Sequence, residues 1–372
     1  MTRVTLEDVA KKTGVSSKTV SRVLNGEPNV SKRTAELVQA AIAELNYVPN
    51  SAARSLSSGR SLALGLVIGW PVNSPYSSTL IEGTLEACNR QGYNLSLYAL
   101  EENLAKRITD AYRGRQVDGI ILDTNAAADD ALMSLIDTLK VPTVVLHPYR
   151  RHPHVRTSYI QIDNASAARE AVEYLIGLGH SCIGFVGHHL GHILDRYAGY
   201  IQALEAAGLS ADPAWIASPD WPTLDKAGVA AFSGMPFHVG FQNATALLTT
   251  NKDMTALFAA TDEIAMGALS AVWALGLKVP DDVSVVGFDD IVYASMVAPA
   301  LTTVHQPINE IVSLAVKHLI DIIKRPETPP IDVVMPTNLV VRKSCKALAH
   351  AQPAVNGALS QTTGSAEASH TP

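Results

Sequence analysis

Val4-Thr5-Leu6-Glu7-Asp8-Val9-Ala10-Lys11-Lys12-Thr13-Gly14-Val15-Ser16-Ser17-Lys18-Thr19-Val20-Ser21-Arg22-Val23-Leu24-Asn25 reads as two short helices around a tight turn. Thr5 and Asp8 have the spacing of a capping box, and Leu6, Val9 and Ala10 supply one apolar face. Gly14 is placed to turn the chain. Ser16 caps a second helix running to about Asn25, with Val20, Val23 and Leu24 inward, and Gly26 and Pro28 stop it. Ser31 caps a third helix whose inward face is Ala35, Val38, Ile42 and Leu45. Two helices joined at a glycine turn and braced by a third form a helix-turn-helix. On the second helix Ser17, Lys18, Ser21 and Arg22 share an arc opposite Val20 and Val23. Such an arc suits the DNA major groove, where arginine donates two hydrogen bonds to guanine O6 and N7. Taken singly, Lys18 and Arg22 read better as ordinary solvated charges, and it is the surrounding sequence that overturns this.

Outward from this head the charge changes sign. Residues 1–60 hold nine Lys/Arg against five Asp/Glu, a net of +4, whereas the remainder holds 20 against 30, a net of −10. A basic head on an acidic body points to a polyanion partner for the head only. At 372 residues and 47% hydrophobic content the chain is long enough for two or three globular domains. No apolar run approaches the ~20 residues of a membrane span, and Ser61–Trp70 reads as a buried strand. The first residues lack the apolar core of a signal peptide, so a cytoplasmic protein is expected. Cys88, Cys182 and Cys345 are too far apart for a zinc pattern and odd in number, which reads as buried thiols.

From Ser61 onward strand-like and helical runs alternate. Leu62–Ile68, Leu95–Ala99, Gly119–Asp123, Thr143–Leu146, Tyr159–Ile162, Ile183–Gly187, Leu257–Ala260 and Val283–Phe288 are strand-like. Leu80–Arg90, Ala165–Leu178 and Glu263–Leu275 are amphipathic helices. The alternation predicts parallel sheets covered on both faces, and about ten strands suggest two sheets. Residues 346–372, rich in Ala, Ser, Thr, Gly and Gln, read as a disordered tail.

The head sequence, together with Ala43-Glu44-Leu45-Asn46-Tyr47-Val48-Pro49-Asn50, strongly resembles the LacI/GalR family of bacterial repressors. Later matching segments are Arg115–Ile121, Gly177-Leu178-Gly179-His180, Asp262–Ala268, Asp282–Asp290 and Leu301–Pro307. The resemblance implies an all-α helix-turn-helix head (residues 1–49), a hinge helix and linker (50–60), and an α/β periplasmic-binding-protein-like (type I) two-lobed effector and dimerisation domain (61–345). It implies crossovers near Asp163, Asp289–Val292 and Lys324–Thr328. The N-lobe then comprises about 61–162 and 291–325, and the C-lobe about 163–290 and 326–345.

Carried over by position, Ser17, Lys18 and Arg22 become base readers, and Thr5, Ser16, Thr19, Ser21, Asn25, Ser31 and Thr34 phosphate contacts. Residues 50–57 resemble the family's hinge helix. Asn50 caps it, Ala52 and Ala53 permit close approach, and Leu56 is an apolar wedge that pries open a minor-groove base step. Packing of Leu56 on the next domain is the plainer alternative. A helix this short is marginal alone, so it should form only when paired on DNA.

The same resemblance assigns Asp163, Arg196, Asp262 and Asp289 to an effector cleft, with Gln306 beside it and Asn73 and Tyr76 after the first strand. Carboxylates and a guanidinium suit vicinal hydroxyls, so a sugar-like effector is expected. Each of the four charged residues has a structural alternative in an interdomain salt bridge or a turn. Trp221, Phe237 and Phe241 fit a sugar-stacking role or the core equally. Three features depart from the family pattern: His192, counted with Trp221 among the effector contacts, stands four before Arg196 where Ser or Thr is usual, Thr261 replaces Asn or a small residue, and the stretch Trp221–Gly240 is long.

The partners implied are a pseudo-palindromic double-stranded operator, a small-molecule effector and a second copy of the chain, with no membrane and no cofactor. No phosphate loop, metal-spaced His/Cys cluster or nucleophile elbow supports an enzyme, and His188, His189 and His192 read better as a loop than as metal ligands. A DNA-bending architectural protein is the other class. The large effector domain speaks against it.

Overall fold

Caps and a left-handed glycine build the head. In the computed structural model, helix α1 (Leu6–Thr13) starts at Thr5, whose hydroxyl and backbone exchange hydrogen bonds with Asp8 as a full capping box. Gly14 ends it at φ 68°, a conformation a side chain would strain. Helix α2 (Ser17–Leu24) begins where Ser16 Oγ accepts from the Thr19 amide, 3.1 Å. Ser31 does the same for α3 (Lys32–Glu44) through the Thr34 amide, 3.2 Å. Val9, Ala10, Val20, Val38, Ala41 and Tyr47 form the head's own buried core. The expected Ile42 and Leu45 are only half-buried there, and Ala41 and Tyr47 supply contacts that the helical pattern did not single out.

The structure describes residues 4–24, 30–47, 60–69, 71–101, 103–123, 130–148, 151, 157–187, 192–217 and 235–348. Asn25, the hinge with Asn50, Ala53 and Leu56, His188, His189, Trp221 and residues 349–372 lie outside these.

After the linker the chain runs β1 (Ala63–Ile68), α4 (Pro75–Arg90), β2 (Asn94–Ala99), α5 (Leu104–Arg113), β3 (Gly119–Leu122), α6 (Asp130–Leu139), β4 (Thr143–Leu146) and β5 (Ser158–Ile162). It continues through α7 (Asn164–Gly177), β6 (Ile183–Val186), α8 (His192–Ala206), β7 (Ile216–Ala217), α9 (Met235–Thr250), β8 (Ala256–Ala259), α10 (Asp262–Ala274), β9 (Ser284–Asp289) and β10 (Thr302–His305). Then follow α11 (Ile308–Lys324), β11 (Asp332–Met335) and β12 (Asn338–Val340). The strands form two sheets, ordered β11-β5-β4-β3-β1-β2 and β12-β10-β9-β8-β6-β7. Every pairing is parallel except β10 with β12. All six residues of β1 and of β9 are buried, because helices cover both faces.

This topology corrects two crossovers. The first passage between sheets does fall at Asp163. After β9, however, the chain stays in the C-lobe and adds β10 in register Thr302↔Val286, so the second passage is at Gln306–Pro307. The short polar run Thr302–His305 hides a buried strand that only its neighbour reveals. Likewise the Pro-rich stretch after Lys324 does not leave the N-lobe. It leads into β11, which pairs with β5 (Asp332↔Tyr159), and the third passage is at Pro336–Thr337.

The tail boundary also moves. The Lys346 amide donates to Ser284 Oγ (3.1 Å), its carbonyl lies 3.1 Å from His180 Nε2, and the Leu348 amide donates to the Leu178 carbonyl (2.9 Å). Residues 346–348 therefore belong to the fold. No helix among the described residues is long and apolar enough to cross a membrane.

Candidate effector cleft and nucleic-acid interface

The charged cluster forms where strands end, because side chains there face the groove between lobes instead of the sheet. Arg196, on the first turns of α8, is 1% exposed. Its Nε donates to Asn164 Oδ1 (2.9 Å), and its Nη1 donates to the Ala260 carbonyl (2.6 Å) and to Asp289 Oδ1 (3.0 Å). The guanidinium lies 3.6 Å from the ring centre of Phe288. Gln306 Nε2 donates to the same Asp289 oxygen at 2.6 Å. Among the described residues, Arg196 Nη2 and Asp289 Oδ2 have no hydrogen-bond partner.

Asp289 ends β9 at φ 120°, with Asp290 following at 56°. Two successive non-glycine residues in this region are strained, and such strain collects at functional sites. Burial pushes the Asp289 carboxyl up, against the pull of Arg196 and Gln306, and lowers the Arg196 guanidinium in turn.

The N-lobe brings three groups to this pair. Tyr76, on the first turn of α4, has its hydroxyl 3.5 Å from Asp123 Oδ1, and burial followed by the charges of Asp123 and Asp289 raises its phenol well above the usual range. Asp123 follows β3 and is fully buried. His147 follows β4 at φ 47° and is buried; desolvation first, then the Arg196 charge, hold its imidazole down at about 4. On the C-lobe side, burial and Asp289 raise Glu263 to about 7.

Not every expected residue lies here in that role. Asp262 is 0% exposed, its Oδ2 accepting from the Ile291 amide (2.9 Å) and its Oδ1 from the Thr303 hydroxyl (2.5 Å). Both oxygens are committed to bracing the turn after β9 against β10, so its assignment as an effector contact is corrected. Asp163 is exposed and caps α7 through Ser166, amide 3.0 Å and hydroxyl 2.7 Å. Thr261 caps α10, which explains a hydroxyl at that position. Asn73 is exposed in the turn before α4. Phe241 is half-buried and packs against the main core, and Phe237 is 37% exposed on α9. His192 opens α8; its side chain is outside the described residues.

In the head, Ser17 and Ser21 are half-buried along α2, Lys18 is exposed, and Arg22 is half-buried with a partner of its own. Thr5, Ser16 and Ser31 cap the three helices, with Thr19 and Thr34 hydroxyls hydrogen-bonded to the latter two caps at 2.9 and 2.8 Å. All five hydroxyls sit at helix amino-termini, where exposed amides and the helix dipole favour phosphate.

Residues 5–50 match the model for bacterial regulatory proteins of the lacI family, and residues 172–345 match that for a periplasmic binding protein-like domain. The chain is 33% identical over 349 residues to the HTH-type transcriptional repressor PurR of Pasteurella multocida (strain Pm70), covering 92% of this chain and 99% of the relative. It belongs to the lacI family.

The HTH-type transcriptional regulator CelR of Thermobifida fusca is 34% identical, covering 92% of this chain and 98% of the relative. Among solved structures, a CelR–cellobiose complex is 32% identical with a TM-score of 0.66, covering 92% of this chain and all of that one. The lac repressor dimer bound to operator and the anti-inducer ONPF is 28% identical with a TM-score of 0.71, covering 93% and 100%. This lacI-family chain is thus a DNA-binding transcriptional regulator with a two-lobed α/β domain behind its helix-turn-helix. Four residues of its cleft escaped the sequence reading: Asn164, Asp123, His147 and Phe288. The first three stand at or just past strand ends, a signal visible once the strands are placed. The fourth looks like any core residue of β9.

Proposed function

We propose that this regulator is a dimeric, cytoplasmic repressor of carbohydrate-utilisation genes, without catalytic activity, whose operator affinity is set by a neutral sugar-like effector. The observation that carries the reading is the buried Arg196–Asp289–Gln306 constellation. It commits Nε, Nη1 and Oδ1 to the protein and keeps Nη2 and Oδ2 for a ligand. One donor and one acceptor side by side match adjacent hydroxyls, which both give and accept hydrogen bonds. Tyr76 and Asp123 from the opposite lobe complete a polar lining richer in carboxylates than in cations, which disfavours phosphorylated effectors. The CelR relative whose structure holds cellobiose supports the same class.

On DNA, Ser17, Lys18 and Arg22 read bases, and Thr5, Ser16, Thr19, Ser21, Asn25, Ser31 and Thr34 hold phosphates. Asn50, Ala53 and Leu56 belong to a hinge that inserts in the minor groove. Effector closure of the lobes changes the spacing of the two hinges and thereby the operator affinity.

A thermal-shift screen of mono- and disaccharides, purines and phosphosugars identifies the effector, since a ligand of the folded state raises stability with occupancy. The hit is then titrated against the protein on labelled operator. Asp289→Ala should abolish the response while leaving effector-free operator binding within about threefold. A wild-type response in that variant, or a screen won by phosphosugars alone, contradicts the reading.

A further inference from the structure

A cavity of about 560 Å³ opens at the end of the N-lobe sheet opposite the cleft. Its residues precede strands instead of following them: Val117 and Asp118 lead into β3, Pro142 into β4, and Ser158 begins β5. The volume falls within the range of small-molecule sites, about 300–1,000 Å³. Ile136, Val141, Ile322, Ile323 and Pro326 make an apolar wall, and Arg113, Arg115 and Lys140 stand on the rim.

The charge there is one-sided. Asp137 pairs with Lys140 at 3.0 Å. Both oxygens of Asp118 accept backbone amides, from Ser61 at 2.7 Å and Leu62 at 2.8 Å. Among the described residues, the side chains of Arg113 and Arg115 have neither an ion pair nor a hydrogen bond. Two unpaired guanidiniums over an apolar wall are complementary to a carboxylate carried on an apolar body.

The same wall holds the chain as it arrives from the head. Ser61 and Leu62 are tied to Asp118, and Arg60 donates to the Ile323 carbonyl at 3.3 Å. Ile323 lies at the end of α11, a 17-residue helix spanning about 25 Å at 1.5 Å per residue. That helix starts just after Gln306, which bonds Asp289 in the cleft. One rigid element therefore begins two residues after the effector constellation's Gln306 and ends at both the cavity and the linker.

We propose that this cavity is a second small-molecule site, separate from the cleft, which takes an amphipathic carboxylate and acts on the linker to the DNA-binding head. Occupancy displaces or braces the wall at Asp118 and Ile323, and the linker anchored there follows. The binding half of the proposal stands on the cavity itself. Only the coupling half rests on the repressor reading above.

The test uses the full-length protein and 4-benzoylbenzoate, a carboxylate on a photoactivatable apolar body, with uncharged benzophenone as control. After irradiation and peptide mapping, a saturable adduct is expected within residues 136–143 or 322–330. Benzophenone should label there at least tenfold more weakly. R113Q/R115Q, two exposed substitutions that leave the core untouched, should weaken labelling by at least tenfold. Titration on labelled operator should show the probe changing affinity at least threefold in the wild type and not in the double variant. Adducts confined to the cleft, equal labelling by benzophenone, or unchanged labelling of the double variant would overturn the site. A lower salt dependence of operator binding in R113Q/R115Q with labelling unchanged would also overturn it, assigning the arginines to DNA phosphates. Site labelling with no change at the operator would overturn the coupling, whether or not a sugar regulates the cleft.

Discussion

Asp262 and Asp289 have the same side chain and almost the same burial, yet opposite duties. Asp262 spends both oxygens on Ile291 and Thr303, so Asp262→Ala strands a buried amide and a buried hydroxyl. The cost should be about 3 kcal/mol in urea unfolding, since each stranded group costs roughly 1–3 kcal/mol. Effector affinity of the folded variant should stay within about threefold, and a tenfold loss would return Asp262 to the cleft. His147 makes a second residue-scale prediction. Its folded pKa of about 4 lies below the ordinary 6.5, so between these values only the unfolded chain binds the proton, and stability falls as pH falls. Glu263, raised from 4.5 to about 7, works the other way: the folded chain holds the extra proton, and stability falls as pH rises. The slopes oppose each other between pH 4.5 and 6.5. His147→Asn, tolerant of φ 47°, removes one of them. Its unfolding free energy should then decline with rising pH across that window relative to wild type, by up to roughly 3 kcal/mol. Parallel curves for the two proteins would contradict the assignment.

At the scale of elements, α9 and α10 approach so closely at Gly240 and Gly267 that no side chain fits at either position. A Cβ at Gly267 would lie 2.0 Å from the Phe237 carbonyl oxygen, and one at Gly240 would lie 2.0 Å from that of Ile264. Gly267→Ala must push two backbones apart, and should lower stability by about 3 kcal/mol in urea unfolding, the upper part of the overpacking range. A loss under 0.5 kcal/mol would mean the helices separate freely. The caps Thr5, Ser16 and Ser31 were legible because their partners lie three residues away. The pairing of Gly240 with Gly267 was not, because it joins two helices whose contact depends on where the sheet places them. The same holds for β10, whose polar run acquires strand character only beside β9.

At the scale of the molecule, the proposed dimer would place one head on each half-site of a two-fold operator. Arg22→Ala should relax discrimination at one base pair per half-site by about 1–3 kcal/mol, measured by competition among half-site variants. Leu56→Ala should instead reduce bending and overall affinity while preserving relative half-site preference. Unchanged relative affinities for Arg22→Ala would displace the reader role to Ser17 and Lys18. For the dimer, Val292, Tyr293 and Met296 expose 56%, 48% and 68% of their surface on one short C-lobe segment, an apolar patch suited to a second copy. Met296→Glu should shift sedimentation of the full chain toward monomer. A wild-type distribution would place the contact elsewhere, and a tetramer would refute the dimer itself.

The sequence by itself determined the three-helix head, its caps, the two-sheet α/β body and the choice of Arg196 and Asp289 as separate cleft candidates, because each rests on local spacing or on a long match of motif. It also located the first crossover, where a strand runs into a capped helix at Asp163. Only the tertiary structure decided the other two crossovers, the structural duty of Asp262, the contributions of Asn164, Asp123, His147 and Phe288, and the cavity behind the N-lobe sheet. The physical reason is common to all of these. Hydrogen-bond partners and burial are set by which strand lies beside which, across separations such as the 93 residues between Arg196 and Asp289 or the 263 between Arg60 and Ile323. No periodicity within either segment carries that information.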